Sequence, residues 1–238
     1  MVSKPNEIVA NIRSAILSRR LLPGTQLREM TLCRLYGVSR TLVRQALQEL
    51  GKDGLVDLTH GRIATVAQPT AREAHEVFDM RVALESHATR TLIARAAKKD
   101  FTRLRSHLKE ERSAHARGNT EEVQKLGAGF HVLMARLAGN ALLVQSLERL
   151  LARIALILQL YQHDYDSHTQ CLQDEHEELI DLMQAGREEE ALALLLRHLH
   201  IVEASLRIQD FQATADLQLA RALDLVESTG QARSASVG

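Results

Sequence analysis

Three histidines and two arginines in this chain stand where side chains of their type do chemistry. His131 lies in "GFHVLMARLAGN", His176 in "DEHEELIDLM" and His198 in "ALLLRHLH". His176 is eleven residues before Arg187 and His198 eleven after it, with a short turn expected around Gly186-Arg187. Two antiparallel helices joined there bring both imidazoles to the same height. With His131 they can face one interior, where converging imidazoles are ligands for a divalent metal such as Zn, Ni, Mn or Fe. Zinc is the default choice, although imidazoles alone do not select it. The alternative is that each is a hydrogen-bonded core histidine. Most of the eleven histidines read as surface residues.

The arginines lie in "GVSRTLVRQALQELGKDGLV". Val43, Ala46, Leu47 and Leu50 follow the helical period and form a stripe to be buried. Arg40, Thr41, Arg44, Gln45 and Gln48 fall on the opposite side, with Arg40 and Arg44 one turn apart. No carboxylate on that face pairs with them in sequence. A helix of this kind suits the major groove of DNA, where arginine pairs bidentately with guanine. The competing reading is a solvated face. A hairpin follows, with His60, Gly61 and Arg62 at its tip, where a basic turn can touch phosphates. For His60 the alternative is a plain solvent turn.

The elements that must hold these residues follow from the punctuation of the chain. The three prolines are Pro5, Pro23 and Pro69, so 169 residues run on without one and favour helix. A boundary is therefore expected near residue 70. Residues 1–69 should give three helices and a small β-hairpin. Asn6 is the expected cap of the first helix, Ser39 the cap of the third and Gly51 its stop. "LVDLT" and "RIATV" are the expected strands. Residues 70–228 should form an all-α antiparallel bundle of six or seven helices, making the chain mainly α. Breaks are expected near Lys98–Asp100, Gly118-Asn119, Gly139-Asn140, Asp164–Ser167, Ala185-Gly186 and Gln209. A last helix is expected in "ADLQLARALDLVES". The tail 229–238 is small and polar and is expected to be disordered.

Net charge is zero overall, but residues 1–69 carry ten Lys/Arg against five Asp/Glu, and the remainder 20 against 25. That asymmetry describes a basic module joined to an acidic one. Cys33 and Cys171 lie far apart, which gives no disulfide framework and fits a reducing cytoplasm. The N-terminus lacks the apolar core of a signal peptide. "IALILQLY" at 154–161, the most apolar stretch, is too short to cross a bilayer, so no membrane partner is expected.

The stretch "PGTQLREMTLCRLYGVSRTLVRQALQELGKDGLV…HGRIATV" resembles the winged helix-turn-helix of the GntR family of bacterial transcription regulators. The resemblance covers residues 23–66 and implies that Arg40, Thr41, Arg44, His60 and Gly61 contact DNA. Leu42 stands where the family usually has Pro, Gln45 where it has Glu, and Cys33 where it has Ala. Loss of the acid at Gln45 is expected to change base preference more than affinity. The second part resembles the FCD effector domain of the FadR subfamily, through "RVALE", "FHVLMARLAGN", "DEHEELIDLM" and "ALLLRHL". Many such domains bind a divalent metal through one Asp and three His, and His131, His176 and His198 match the three histidines. The Asp would stand four residues before His131, where this chain has Gly127. Three histidines alone would hold the ion with less charge compensation. Arg81 matches an arginine that often faces the effector cavity; the other reading is a helix-surface ion pair. Arg153 is a second candidate for that cavity, or equally an interface or surface residue.

The reading that follows is a ligand-responsive regulator. It would bind a pseudo-palindromic double-stranded operator as a homodimer and sense a small carboxylate, with or without a metal's assistance, in its helical domain. One alternative is a constitutive DNA-binding protein with a structural dimerisation bundle. Another is a three-His metal enzyme, against which stand the lack of HExxH and GxSxG and a basic head left unexplained.

Overall fold

The computed structural model describes residues 4–161 and 169–206, the second stretch with side chains from Gln173 onward. Nine helices and one two-stranded antiparallel hairpin make up these residues. The expected break at Asp164–Ser167, the break at Gln209, the helix beyond it and the tail at 229–238 lie outside them.

The first three helices are α1 (Lys4–Leu17), α2 (Glu29–Tyr36) and α3 (Arg40–Lys52). Asn6 does not cap α1 but lies inside it, because Pro5 fits a first helical turn, where no backbone N–H is needed. Ile8, Ile12 and Ile16 bury one face of α1 against Val43, Ala46, Leu47 and Leu50 of α3. Between α2 and α3, Gly37 takes φ 63°, which lets the chain reverse within a few residues. Ser39 occupies the N-cap position of α3, but its side chain makes no capping bond.

Gly51 does not stop α3. The helix runs to Lys52, and the left-handed turn falls on Gly54, at φ 71°. A Cβ on Gly51 would stand 2.8 Å from Leu58 Cδ1, so this glycine serves the close approach of the hairpin to the helix. The strands, β1 (Val56–Asp57) and β2 (Thr65–Val66), are shorter than expected, with Val56 opposite Val66. Thr59 accepts a bond from the Arg62 N–H at 3.0 Å, closing the exposed tip.

Thr70 caps α4 (Ala71–Arg95) in a reciprocal box with Glu73, at 3.2 and 3.1 Å. Then follow α5 (Lys98–Ala116), α6 (Thr120–Leu137), α7 (Ala141–Tyr161), α8 (Thr169–Gln184) and α9 (Glu188–Ala204). The α4–α5 break falls at Ala96-Ala97, just before the expected Lys98. Asn119 caps α6 through its side chain, and Asn140 accepts the Leu142 and Leu143 N–H groups at the start of α7.

Two apolar cores result. The bundle core joins α4, α5, α6, α8 and α9 around Phe101, Phe130, Ile180 and Leu195. The other core belongs to α1–α3 and the hairpin, and it also contains Ala152 and Leu156 of α7. That shared use explains why "IALILQLY" is apolar on more than one face. Polar contacts reinforce the junction. Gln159 Nε2 donates to the Ile16 carbonyl at 2.7 Å, and Tyr161 donates to that of Pro69 at 2.9 Å. Asp53 accepts from Arg13 of α1 and, at 3.3 Å, from Arg149 of α7.

Candidate functional site

Two groups of side chains stand out, one on α3 and one inside the bundle. On α3, Arg40, Thr41, Arg44 and Gln45 are all exposed, and His60, Gly61 and Arg62 are exposed at the hairpin tip. Sequence spacing showed no carboxylate for the two arginines, but the fold supplies one. Glu29, the first residue of α2, reaches Arg40 Nη2 at 3.0 Å and Arg44 Nε at 2.7 Å. The hydrogen bond from Arg44, with that from Arg40 adding to it, holds the Glu29 carboxyl below its ordinary range. Glu29 raises Arg44 in turn. One acid therefore ties two arginines into a fixed fork and leaves their outer N–H groups toward solvent. Only the helix-turn-helix geometry, which folds α2 over the start of α3, makes this pairing visible.

Inside the bundle, His131, His176 and His198 come together from α6, α8 and α9, and all three are buried. One nitrogen from each lies within 4.8 Å of the others. His176 Nε2 and His198 Nε2 are 3.3 Å apart. Metal–nitrogen bonds of about 2.0–2.1 Å in a tetrahedron set ligand nitrogens roughly 3.3 Å apart, so this pair already matches an edge of such a site. Phe130 stacks on His176 with ring centroids 4.2 Å apart and closes one side.

Each imidazole turns its Nδ1 to a buried glutamate. Glu85 Oε2 of α4 lies 2.7 Å from His131 Nδ1, Glu175 Oε2 of α8 lies 2.9 Å from His198 Nδ1, and Glu111 Oε2 of α5 lies 3.5 Å from His176 Nδ1. The two closer carboxylates, Glu85 and Glu175, set the tautomer that leaves Nε2 of His131 and His198 as the ligand atom. Burial pushes His131 down to about 4 and His198 down to about 3, despite the opposing pull of Glu85 and Glu175. Both are neutral at pH 7, the form that binds metal. Burial raises Glu85, yet the charge of Arg81 and the contact with His131 outweigh it and keep the carboxyl well below its usual value. The donor set and its spacing therefore fit a divalent cation.

Of the two candidate effector arginines, Arg81 joins the histidine cluster and Arg153 does not. Arg81 is only 3% exposed, and its guanidinium is held by Glu85 one turn away. It is not a surface ion pair, and it joins the cluster of imidazoles through Glu85. Arg153 is not brought to the cluster at all. Its guanidinium donates to the Gly54 carbonyl and pairs with Glu73, where α7 meets the N-terminal half. The three glutamates escaped the sequence reading, although periodicity carried a signal for two of them. Glu85 follows Phe78 and Arg81 on the buried stripe of α4, and Glu111 follows Phe101, Leu104 and Leu108 on that of α5.

Comparison with known proteins agrees with this architecture. Residues 76–201 match the FCD domain, and residues 4–66 match the family described as bacterial regulatory proteins, gntR family. The HTH-type transcriptional regulator YdhC of Bacillus subtilis is 27% identical over 190 residues, 79% of this chain and 84% of that protein. Among solved structures, Escherichia coli McbR/YncC superposes with a TM-score of 0.76 at 21% identity, over 88% of this chain and 99% of that one. A GntR regulator from Rhodococcus sp. RHA1 superposes with a TM-score of 0.75 at 24% identity, over 85% and 97%. These two show the fold. With an arginine-bearing helix-turn-helix at one end and a helical effector domain at the other, the chain belongs to the GntR family and is a ligand-responsive DNA-binding transcription regulator, not an enzyme.

Proposed function

We propose that this regulator is of the FadR subfamily and senses a small carboxylate at a divalent metal held by His131, His176 and His198. The observation that carries the reading is the pair of facing Nε2 atoms 3.3 Å apart, completed by His131 and closed from solvent. Three protein ligands leave a position open, which a carboxylate can fill. Among the described residues, further buried polar atoms lack partners: Thr89 Oγ1 and both ends of the Gln173 carboxamide. Groups of this kind call for a polar guest or ordered water. The metal supplies positive charge for that guest, and zinc is the first choice.

In this reading two chains form a homodimer in the cytoplasm and place two α3 helices on the half-sites of a pseudo-palindromic operator. Arg40, Thr41, Arg44 and Gln45 read bases or adjoining phosphates, and His60, Gly61 and Arg62 follow the backbone. Effector binding acts by favouring one spacing of the heads. No described helix is long and apolar enough to cross a membrane.

The test is metal analysis of untagged protein beside His131→Ala, His176→Ala and His198→Ala. About one ion per chain, lost in each variant, supports the site. No uptake by wild type after loading sinks the metal part, and carboxylates should then be screened against Arg81 and the histidines alone. Operator binding that no carboxylate alters would leave a constitutive regulator.

A further inference from the structure

Glu111 is anomalous among the buried carboxylates. Glu85 has Arg81, and Glu175 has Arg197 at 3.5 Å besides His198. Glu111 is 3% exposed and has no Lys or Arg partner among the described residues. Among the described residues its Oε2 makes no hydrogen bond, as Glu85 Oε2 makes none, and the nearest ring nitrogen, His176 Nδ1, stands 3.5 Å away. A buried carboxylate without a counter-charge is costly, and a chain retains one where a cation visits. It stands on the core stripe of α5, a position that Leu108 and Leu104 fill one and two turns earlier.

Tautomers give the contact its role. Glu175 accepts from His198 Nδ1, which leaves His198 Nε2 as a lone pair. With His176 in the same tautomer, its Nε2 would be free for a divalent ion and its Nδ1–H would face Glu111 Oε2 at 3.5 Å.

The second clue is Gly127. A Cβ there would stand 3.4 Å from Glu111 Oε1. The absent side chain on α6 and the carboxylate on α5 thus adjoin one another, and a longer side chain at 127 extending that way would meet Glu111.

The geometry points to Glu111 as the positioning residue and counter-charge of a divalent cation held by the three histidines, acting through His176 from the place that Gly127 leaves free. This rests on the metal reading above. Glu111 and His176 close into a hydrogen bond when the ion binds, and their helices α5 and α8 tighten together. The acid that three neutral imidazoles lack is thereby supplied from a different helix.

The test compares full-length wild type with Glu111→Gln and Glu111→Ala, using zinc and a competing chelator. Losing such an orienting partner weakens metal binding by about 10- to 100-fold. The same variants should melt no lower than wild type without metal, because a buried unpaired carboxylate has been removed, and should show a smaller rise in Tm with zinc. Gly127→Asp added to Glu111→Ala should restore part of the affinity. Zinc bound as tightly by Glu111→Gln as by wild type, with affinity still lost in His176→Ala, would overturn this assignment and leave the three-His site standing. A metal-free Tm that falls in Glu111→Gln while zinc affinity is unchanged would make Glu111 structural. Failure of wild type to take up zinc would remove both proposals together.

Discussion

Arg153 of α7 pairs with Glu73 at the start of α4, and the same guanidinium reaches back to the Gly54 carbonyl beyond α3. One side chain thus fastens three elements at the junction of the two halves. Arg153→Ala should cost about 1–2 kcal/mol, the range of a charge-assisted bond discounted for the exposure of Glu73. Chemical denaturation measures it. The link also depends on pH. Burial raises Glu73, but the bond from Arg153 outweighs it and leaves the folded carboxyl below its ordinary 4.5. The contribution is therefore complete above pH 4.5 and is lost as pH falls through the lower folded value. The gap between wild type and Arg153→Ala should close in acid, and a gap that widens there would contradict the assignment.

Arg81 and Glu85 are 3% and 1% exposed, so either one alone would be a stranded charge. Glu85→Ala and Arg81→Ala should each cost about 3–5 kcal/mol. Arg81→Met combined with Glu85→Leu should cost less than either single change. A double-mutant cycle on urea denaturation checks this, and simple additivity would show that the pair is not coupled.

On DNA, Arg44→Ala should weaken operator binding by about 1–3 kcal/mol. If Arg44 meets phosphate, the slope of log affinity against log salt should also flatten by about one unit. Glu29→Ala should act differently. It removes a negative charge but frees the two arginines that it holds, so binding to random duplex should strengthen while binding to the operator weakens. Competition between the two duplexes reads the ratio. An equal gain on both would show that Glu29 matters only for its charge.

Gly37→Ala isolates a backbone effect. Nothing lies within 4 Å of a Cβ there, so the only penalty is the positive φ of 63°. That costs about 1–2 kcal/mol in urea denaturation, and Asn in its place should cost less.

Local chemistry was legible in the sequence wherever spacing alone decides. The buried stripe of α3 and the facing of His176 and His198 across Gly186 both depend on neighbours within one or two elements. Glu29 was not legible, because it meets Arg40 and Arg44 only when α2 folds across a turn. The place of Arg153 stayed open for the same reason, since its partners lie 80 and 99 residues away. Gly51 looked like a helix stop because glycine has two uses, and only the position of Leu58 shows that closeness, not termination, is the one employed here. Glu111 was hidden by its type: a carboxylate in an otherwise apolar stripe reads as a surface residue unless the period is counted through it.

The core of the DNA-binding half includes Ala152 and Leu156, which are supplied by the effector half. Cutting the chain after Pro69 would therefore not yield a finished reading head. It would open an apolar seam along α1, and a grafted head from another regulator would bring its own seam, shaped for a different α7. Exchange of heads between such proteins should succeed only when the strut travels with the head. Modularity here lies in the sequence boundaries, while the material that must be inherited together crosses them.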